Sequence, residues 1–150
     1  MREPLTFFVA GLPKAQPRVK AARRGKFTSI YTPPGAHEDW AMAVRFEAEK
    51  AWRDDGYPNQ WTGPLCVNLT FYFPRPRIHY RSNGDLKPDA PRWHTAKPDR
   101  DNSDKKILDT LTNLCIWKDD SQVCDGRIQK CYADGGLTGC LVEIKEAAKI

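Results

Sequence analysis

The chain has 150 residues, of which 40% are hydrophobic and 29% charged, a composition typical of a globular domain that can bury a core. Its 24 basic residues outnumber its 19 acidic residues, so the formal net charge of +5 suits a polyanionic partner without requiring one. No apolar run could span a bilayer, and prolines interrupt the early apolar patch, so we expect one cytoplasmic domain over residues 1–150 without a signal peptide.

Five cysteines are present, and no two of them form a CxxC pair. Common zinc sites use such closely spaced pairs, so the pattern favours reduced, mostly buried thiols over a metal site. Reduced thiols also agree with a cytosolic protein. The cysteines are Cys66, Cys115, Cys124, Cys131 and Cys140.

The first predicted element is a short buried strand, Leu5–Ala10. A segment rich in proline and glycine follows at 11–35 and predicts a loop. Residues 14–26 include six basic side chains and no acidic one, and Phe27 and Tyr31 lie close by. This pattern suits contacts to a phosphate backbone with aromatic stacking. It equally suits a solvated loop that two aromatic side chains anchor.

A helix is predicted from about Pro34 to Trp52, because proline suits a first turn and apolar residues then recur at helical spacing. The most regular pattern in the chain is Leu65–Phe73, where apolar and polar residues alternate as in a half-buried strand. Residues 74–96 then form a proline-broken loop with an excess of basic residues. A loop of this length inside a domain is usually functional or mobile.

The last third predicts a helix and two strands. Apolar residues at helical spacing indicate a helix from about Ser103 to Asn113, with Asn102 or Ser103 as its cap. Strands are predicted at 122–133 and 138–146, joined as a hairpin. The order β-α-β-α-β-β predicts an α/β fold of the α+β kind, a two-layer sandwich with two helices on one face of a small mixed sheet.

Aspartates crowd the start of the second predicted helix. Pro98 favours an extended chain, and residues two apart in an extended chain point the same way, so Asp99 and Asp101 should converge. Lys105 would rise beside the same point from the first helical turn. Two converging carboxylates need a cation to relieve their repulsion, and Mg²⁺ prefers such oxygen ligands.

Helix capping is the alternative interpretation of this cluster. It accounts well for Asn102 and Asp104, because short polar side chains cap helices and acids suit the first turn. It accounts less well for Asp99 and Asp101, since one cap needs one acceptor. The second acidic pair, in the run WKDD, is equally typical of a polar turn before a strand.

The runs KPDRDNSDKKILDTL and IWKDDSQV together resemble the RusA-type Holliday junction resolvases of bacteria and their phages. The family pattern is D-x-D-N, a helix that carries a lysine, a hydrophobic stretch ending in tryptophan, and D-D-x-Q-V. The lead-in HTAKPD and the early basic segment are also similar to phage-type members. Ser103 departs from the pattern, which usually has an apolar residue there, and we expect it to pack or cap.

The resemblance implies a homodimeric crossover junction endodeoxyribonuclease that uses Mg²⁺ or Mn²⁺ and nicks four-way DNA symmetrically, in recombination, repair or phage DNA processing. It implies that Asp99, Asp101 and Asp120 bind the metal. Lys105 would complete the catalytic set, and Asp119 would be a supporting acid. We predict phosphate contacts from basic residues of the two loops and the acidic motif: Lys14, Arg18, Lys20, Arg23, Arg24, Lys26, Arg75, Arg77, Arg81, Lys97 and Lys106.

Three alternatives stay open at this point. A flap or fork endonuclease would use the same acids on differently shaped DNA. A non-catalytic module that binds junctions or RNA would keep the aspartates only as caps, which a complete acidic trio with Lys105 argues against. A structural basic protein would explain neither acidic spacing.

Overall fold

The computed structural model describes residues 2–17, 20–31, 35–56 and 58–150, without the side chains of Arg24 and Tyr31. Two helices cover one face of a mixed sheet, as predicted, and a separate two-stranded ribbon stands beside it. The elements are β1 (Leu5–Ala10), β2 (Lys20–Arg24), β3 (Phe27–Tyr31), α1 (Ala36–Asp54), β4 (Leu65–Phe73), α2 (Arg100–Asn113), β5 (Val123–Asp125), β6 (Ile128–Tyr132) and β7 (Gly139–Glu146).

Strand β4 is the centre of the main sheet. It pairs antiparallel with β7, which in turn pairs with β1. On its other side, β4 pairs in parallel with β5 near its start and with β6 near its end. Gly126 separates β5 from β6 with a φ of +141°, and an added Cβ there would collide with the Val67 carbonyl group, so the close approach requires glycine.

The core lies between the sheet and the two helices. Alternate residues of β4 are buried against it, among them Leu65, Leu69 and Phe71, which confirms the predicted alternation. Val44 of α1 and Ile107 of α2 join the same cluster. Each such side chain contributes about 1.5–3 kcal/mol on burial. Within the described part of the chain, neither helix is long and apolar enough to cross a membrane.

The prediction of a loop over residues 11–35 was wrong in part, because 20–31 form the hairpin β2–β3. The pattern is obscured by prolines on either side and by a turn at Gly25 and Lys26. Gly25 adopts a φ of +60°, the conformation that two-residue hairpin turns require. The predicted helix start at Pro34 lies outside the described residues, and α1 ends two residues later than expected.

The prediction of a final hairpin was also wrong. β6 and β7 lie on opposite sides of β4, so the glycine-rich turn before β7 does not join neighbouring strands. The predicted strand over 122–133 is divided into β5 and β6. Local alternation finds such strands, but it carries no information on which neighbour each one chooses.

Part of the long segment between β4 and α2 packs against the sheet. Residues 92–94 run beside β6, with the His94 amide donating to Lys130 O at 2.9 Å and the Tyr132 amide to Arg92 O at 2.9 Å. Arg75 anchors the start of the segment. Its side chain is only 4% exposed, donates to Pro91 O at 2.7 Å and pairs with Asp134 at 3.0 Å.

Candidate active site

Asp99 is the residue that immediately precedes α2. Its backbone is extended, as is typical of a residue that caps a helix, and its carbonyl accepts from the amide and the hydroxyl of Ser103 at 3.0 and 2.9 Å. Ser103 is fully buried, so it packs and bonds within the helix as expected of this position. The Asp99 carboxylate accepts from Lys97 Nζ through both oxygens, at 2.8 and 2.9 Å.

The helix begins three residues earlier than predicted, and this changes the geometry of the second acid. Asp101 lies in the first helical turn rather than in an extended segment. Helical spacing then places Asp104 and Lys105 on the same side as Asp101. Lys105 itself pairs with Asp109, one turn further on, at 3.2 Å.

Asp104 is influenced by both acidic segments. Burial raises the pKa of the Asp104 carboxyl, and the negative charges of Asp101 and Asp120 raise it further, while Arg100 opposes them. Asp101 and Asp120 therefore both act on one half-buried carboxyl, although they are far apart in sequence. The sequence interpretation treated Asp104 as a helix-dipole residue, but its i+3 spacing from Asp101 was a usable signal.

The second acidic pair lies in a turn at residues 118–122, here called the acidic turn. Asp119 caps its short 3₁₀ helix, Asp120–Gln122, by accepting from the Ser121 amide at 2.9 Å. That hydrogen bond holds the pKa of the Asp119 carboxyl below its ordinary value. Asp119 thus has a structural task, and Asp120 is left exposed on the side of α2.

Gln122 ties the acidic turn to the rest of the fold. Its Oε1 accepts from the amides of Lys118 and Asp119 at 2.9 and 3.1 Å. Its Nε2 donates to the carbonyls of Trp61 and Gly63, at 3.1 Å each. One side chain therefore joins the turn to a distant segment just before β4.

Trp117 fixes the other end of the acidic turn. Its side chain is fully buried, and its indole N–H donates to Thr112 Oγ1 at 2.7 Å. Its backbone also forms a bridge with Trp61. The end of α2 and the acidic turn are thus held together, which is why a tryptophan precedes the acidic pair.

Lys130 is a basic residue of the site that sequence analysis missed. Burial lowers the pKa of the Lys130 ammonium, the charge of Asp99 opposes this, and Lys97 adds to it. Its Nζ donates to Ala96 O at 2.7 Å. The available signal was its place in β6, since alternation puts it on the core-facing side of the strand.

The predicted phosphate contacts divide into three groups. Lys106 is 8% exposed and lies 3.0 Å from His37 Nδ1, and Arg75 is buried as described, so neither is placed for a phosphate contact. Arg18 lies outside the described residues, and only the backbone of Arg24 is described. Lys14 is half-buried, and the rest are exposed: Lys20, Arg23, Lys26, Arg77, Arg81 and Lys97.

The donor set can be tested against Mg²⁺. Among the residues that the structure describes, no group of three or more His, Cys, Asp or Glu side chains is arranged to hold a metal by itself. Mg²⁺, however, is commonly held by one or two carboxylates, several waters and a substrate phosphate. The carboxylates of Asp101 and Asp120, which both act on Asp104, fit a site of that open kind.

Asp104→Asn should be more stable than the wild type at neutral pH. A raised folded-state pKa means that ionised Asp104 disfavours folding, so stability falls as the pH rises from the unfolded pKa to the folded pKa. Asparagine removes this loss, and its advantage should vanish near about pH 2.5, where the acid is protonated in both states. Urea unfolding at both pH values, with exposed Asp89→Asn as control, measures it. Equal stability of Asp104→Asn and the wild type at pH 7 would contradict an unfavourable environment for the ionised Asp104 carboxyl.

Residues 10–145, nearly the whole chain, match the family described as endodeoxyribonuclease RusA. The matched range contains every acid of the site. An uncharacterized protein of Bacillus subtilis (strain 168), YqaN, is 37% identical over 81 residues, which cover 49% of this chain and 52% of YqaN. The chain therefore spans about half the length of that curated relative.

Proposed function

The chain belongs to the RusA family of endodeoxyribonucleases, and we propose that it resolves four-way DNA junctions by paired, metal-dependent nicks. The observation that carries the proposal is the negative charge that Asp101 on α2 and Asp120 in the acidic turn both exert on the half-buried Asp104 carboxyl, whose pKa they raise. Like charges held together disfavour the folded state unless a cation offsets them. Selection for stability alone does not explain such an arrangement, whereas binding of a metal and a phosphate does.

Asp99, Asp101 and Asp120 are the proposed ligands, for Mg²⁺ with Mn²⁺ as a substitute. When bound, the ion would acidify a water and offset the charge that builds up on the phosphate during in-line attack. Support for Asp101 and Asp120 comes from their shared influence on Asp104. Asp99 would exchange its Lys97 partner for the ion.

Lys105 is proposed to stabilise the negative charge of the scissile phosphate. Its ammonium pairs with Asp109 on the helix surface, and the flexible side chain can turn from there towards a phosphate on the Asp101 side. Lys97 and Lys130 add positive charge beside Asp99. The cut would leave a 5′-phosphate and a 3′-hydroxyl, ends that a ligase can rejoin.

We also propose a homodimer. A four-way junction has two symmetry-related scissile phosphates, and a two-fold dimer presents two identical sites to them. The paired nicks would serve recombination, repair or phage DNA processing.

The test is cleavage of a mobile four-way junction with Mg²⁺, beside linear duplex, flap and fork substrates of the same sequence. Symmetric nicks in the junction, absent with EDTA, are the expected result. Equal cutting of flaps and junctions would replace the junction preference with a general branched-DNA nuclease. Tight binding without cutting would reduce the protein to a non-catalytic junction-binding module.

The Arg23→Ala/Lys26→Ala double variant should bind junction DNA with a weaker salt dependence. Both side chains are exposed on the ribbon, and each phosphate contact releases counterions. We expect the slope of log K against log salt to fall by roughly two units. A salt series in fluorescence anisotropy measures it, and an unchanged slope would remove both residues from the DNA surface.

A further inference from the structure

The ribbon formed by β2 and β3 presents large apolar side chains to solvent. Its strands pair with each other in a sheet of their own, with Arg24 opposite Phe27 at the turn. Phe27 is 79% exposed and Ile30 is 73% exposed. A lone two-stranded hairpin is only marginally stable in water. Apolar side chains held out on such an element indicate a partner that covers them.

The charge of the ribbon identifies the kind of partner. Residues 14–31 carry six lysines and arginines and no acidic residue. Lys20, Arg23 and Lys26 are exposed along the ribbon beside Phe27. A second copy of this chain, at net charge +5, would bring like charge towards it. The complementary partner is a polyanion with flat apolar faces, and nucleic acid combines these two properties in its phosphates and its bases.

The root of the ribbon lies at the candidate active site. The segment before β2 is held to α2 by the Gln16 amide, which donates to Asn102 O at 3.0 Å, and Asn102 directly follows Asp101. Pro13 in the same segment is fully buried. Five residues of strand span about 17 Å. The ribbon tip can therefore reach roughly five base pairs from the acids, at 3.4 Å per pair.

We propose that the ribbon lies along one arm of the junction and that Phe27 stacks on a base exposed at the branch point. The inference rests on the proposed function, since it assigns this surface to the same DNA. In a linear duplex both faces of nearly every base are covered by neighbouring bases. Branch points expose base faces, so an aromatic ring at the ribbon tip binds branched DNA better than linear DNA.

The experiment compares affinities for a four-way junction and for a linear duplex of the same arm sequence, measured in EDTA so that cutting plays no part. Phe27→Ala should weaken junction binding about tenfold, change duplex binding less than about twofold and leave the salt slope unchanged. Phe27→Leu, which keeps the ribbon apolar, should behave like Phe27→Ala, and Phe27→Trp should restore the preference. Phe46→Ala, which removes a 66% exposed phenylalanine from α1, is the matched control.

Two results would overturn the inference. One is an unchanged ratio of junction to duplex affinity in Phe27→Ala. The other is a change of sedimentation from dimer to monomer in that variant, which would show that the ribbon contacts a second copy of the chain. A wild type that prefers junctions through Phe27 without cutting them would sink the nuclease proposal alone. A wild type that nicks junctions while Phe27→Ala keeps its preference would sink only this inference.

Discussion

Asp101→Asn and Asp120→Asn should each lower the rate of junction cleavage by about a thousandfold or more, while junction binding in EDTA is retained. Asparagine keeps the shape of the side chain and removes the charge that a divalent cation needs. The two residues lie on separate segments, the first turn of α2 and the acidic turn, yet both act on Asp104. Equal losses from two distant positions would indicate one shared metal.

The measurement is single-turnover cleavage of a junction labelled on each strand, over a Mg²⁺ series. Asp54→Asn, which removes an exposed carboxylate from the end of α1, is the control for a general loss of negative charge. Near-wild-type cutting by Asp101→Asn would remove Asp101 from the metal site. Recovery of either variant at high Mn²⁺ would instead support weakened metal binding, because Mn²⁺ tolerates a poorer ligand set.

Much of the fold could be predicted because its main elements carry strong local patterns. The bounds of β1 and β4 were predicted correctly, and helical spacing found α1 and α2, although α2 begins three residues before its predicted start and α1 ends two residues after its predicted end. The pairing of the strands was not predicted correctly, because β6 and β7 each pair with β4 and not with each other. That choice depends on contacts between distant residues, which no local window contains.

The candidate site shows the same division. Asp99 and Asp101 were expected to converge from an extended chain, but α2 begins between them at Arg100, and this changes the neighbours of each acid. Asp99 accepts a hydrogen bond from Lys97, and the charge of Asp101 raises the pKa of Asp104. The burial of Arg75, by contrast, had no local signal, since a basic residue in a proline-broken loop is ordinarily exposed.

Gln122→Leu should lower junction cleavage by about ten- to a hundredfold without weakening DNA binding. The Gln122 side chain makes four hydrogen bonds of 2.9–3.1 Å that hold the acidic turn, and leucine of similar size makes none. Asp120 lies within this turn, and a displacement of about 1 Å in a reacting group can cost a hundredfold in rate. Because these hydrogen bonds are largely exposed to solvent, their loss should lower the free energy of unfolding by only about 1–2 kcal/mol.

Gln122→Glu separates the two halves of this network. A carboxylate still accepts from the amides of Lys118 and Asp119, but it cannot donate to the carbonyls of Trp61 and Gly63. The turn would keep its own cap and lose its link to the segment before β4, so a fall in rate as large as that of Gln122→Leu would assign the effect to this link. Gln129→Leu on β6 controls for the loss of an amide. Both variants should be assayed well below their melting temperatures. If both then cut junctions at the wild-type rate, Asp120 keeps its position without these hydrogen bonds, and Gln122 contributes only to stability.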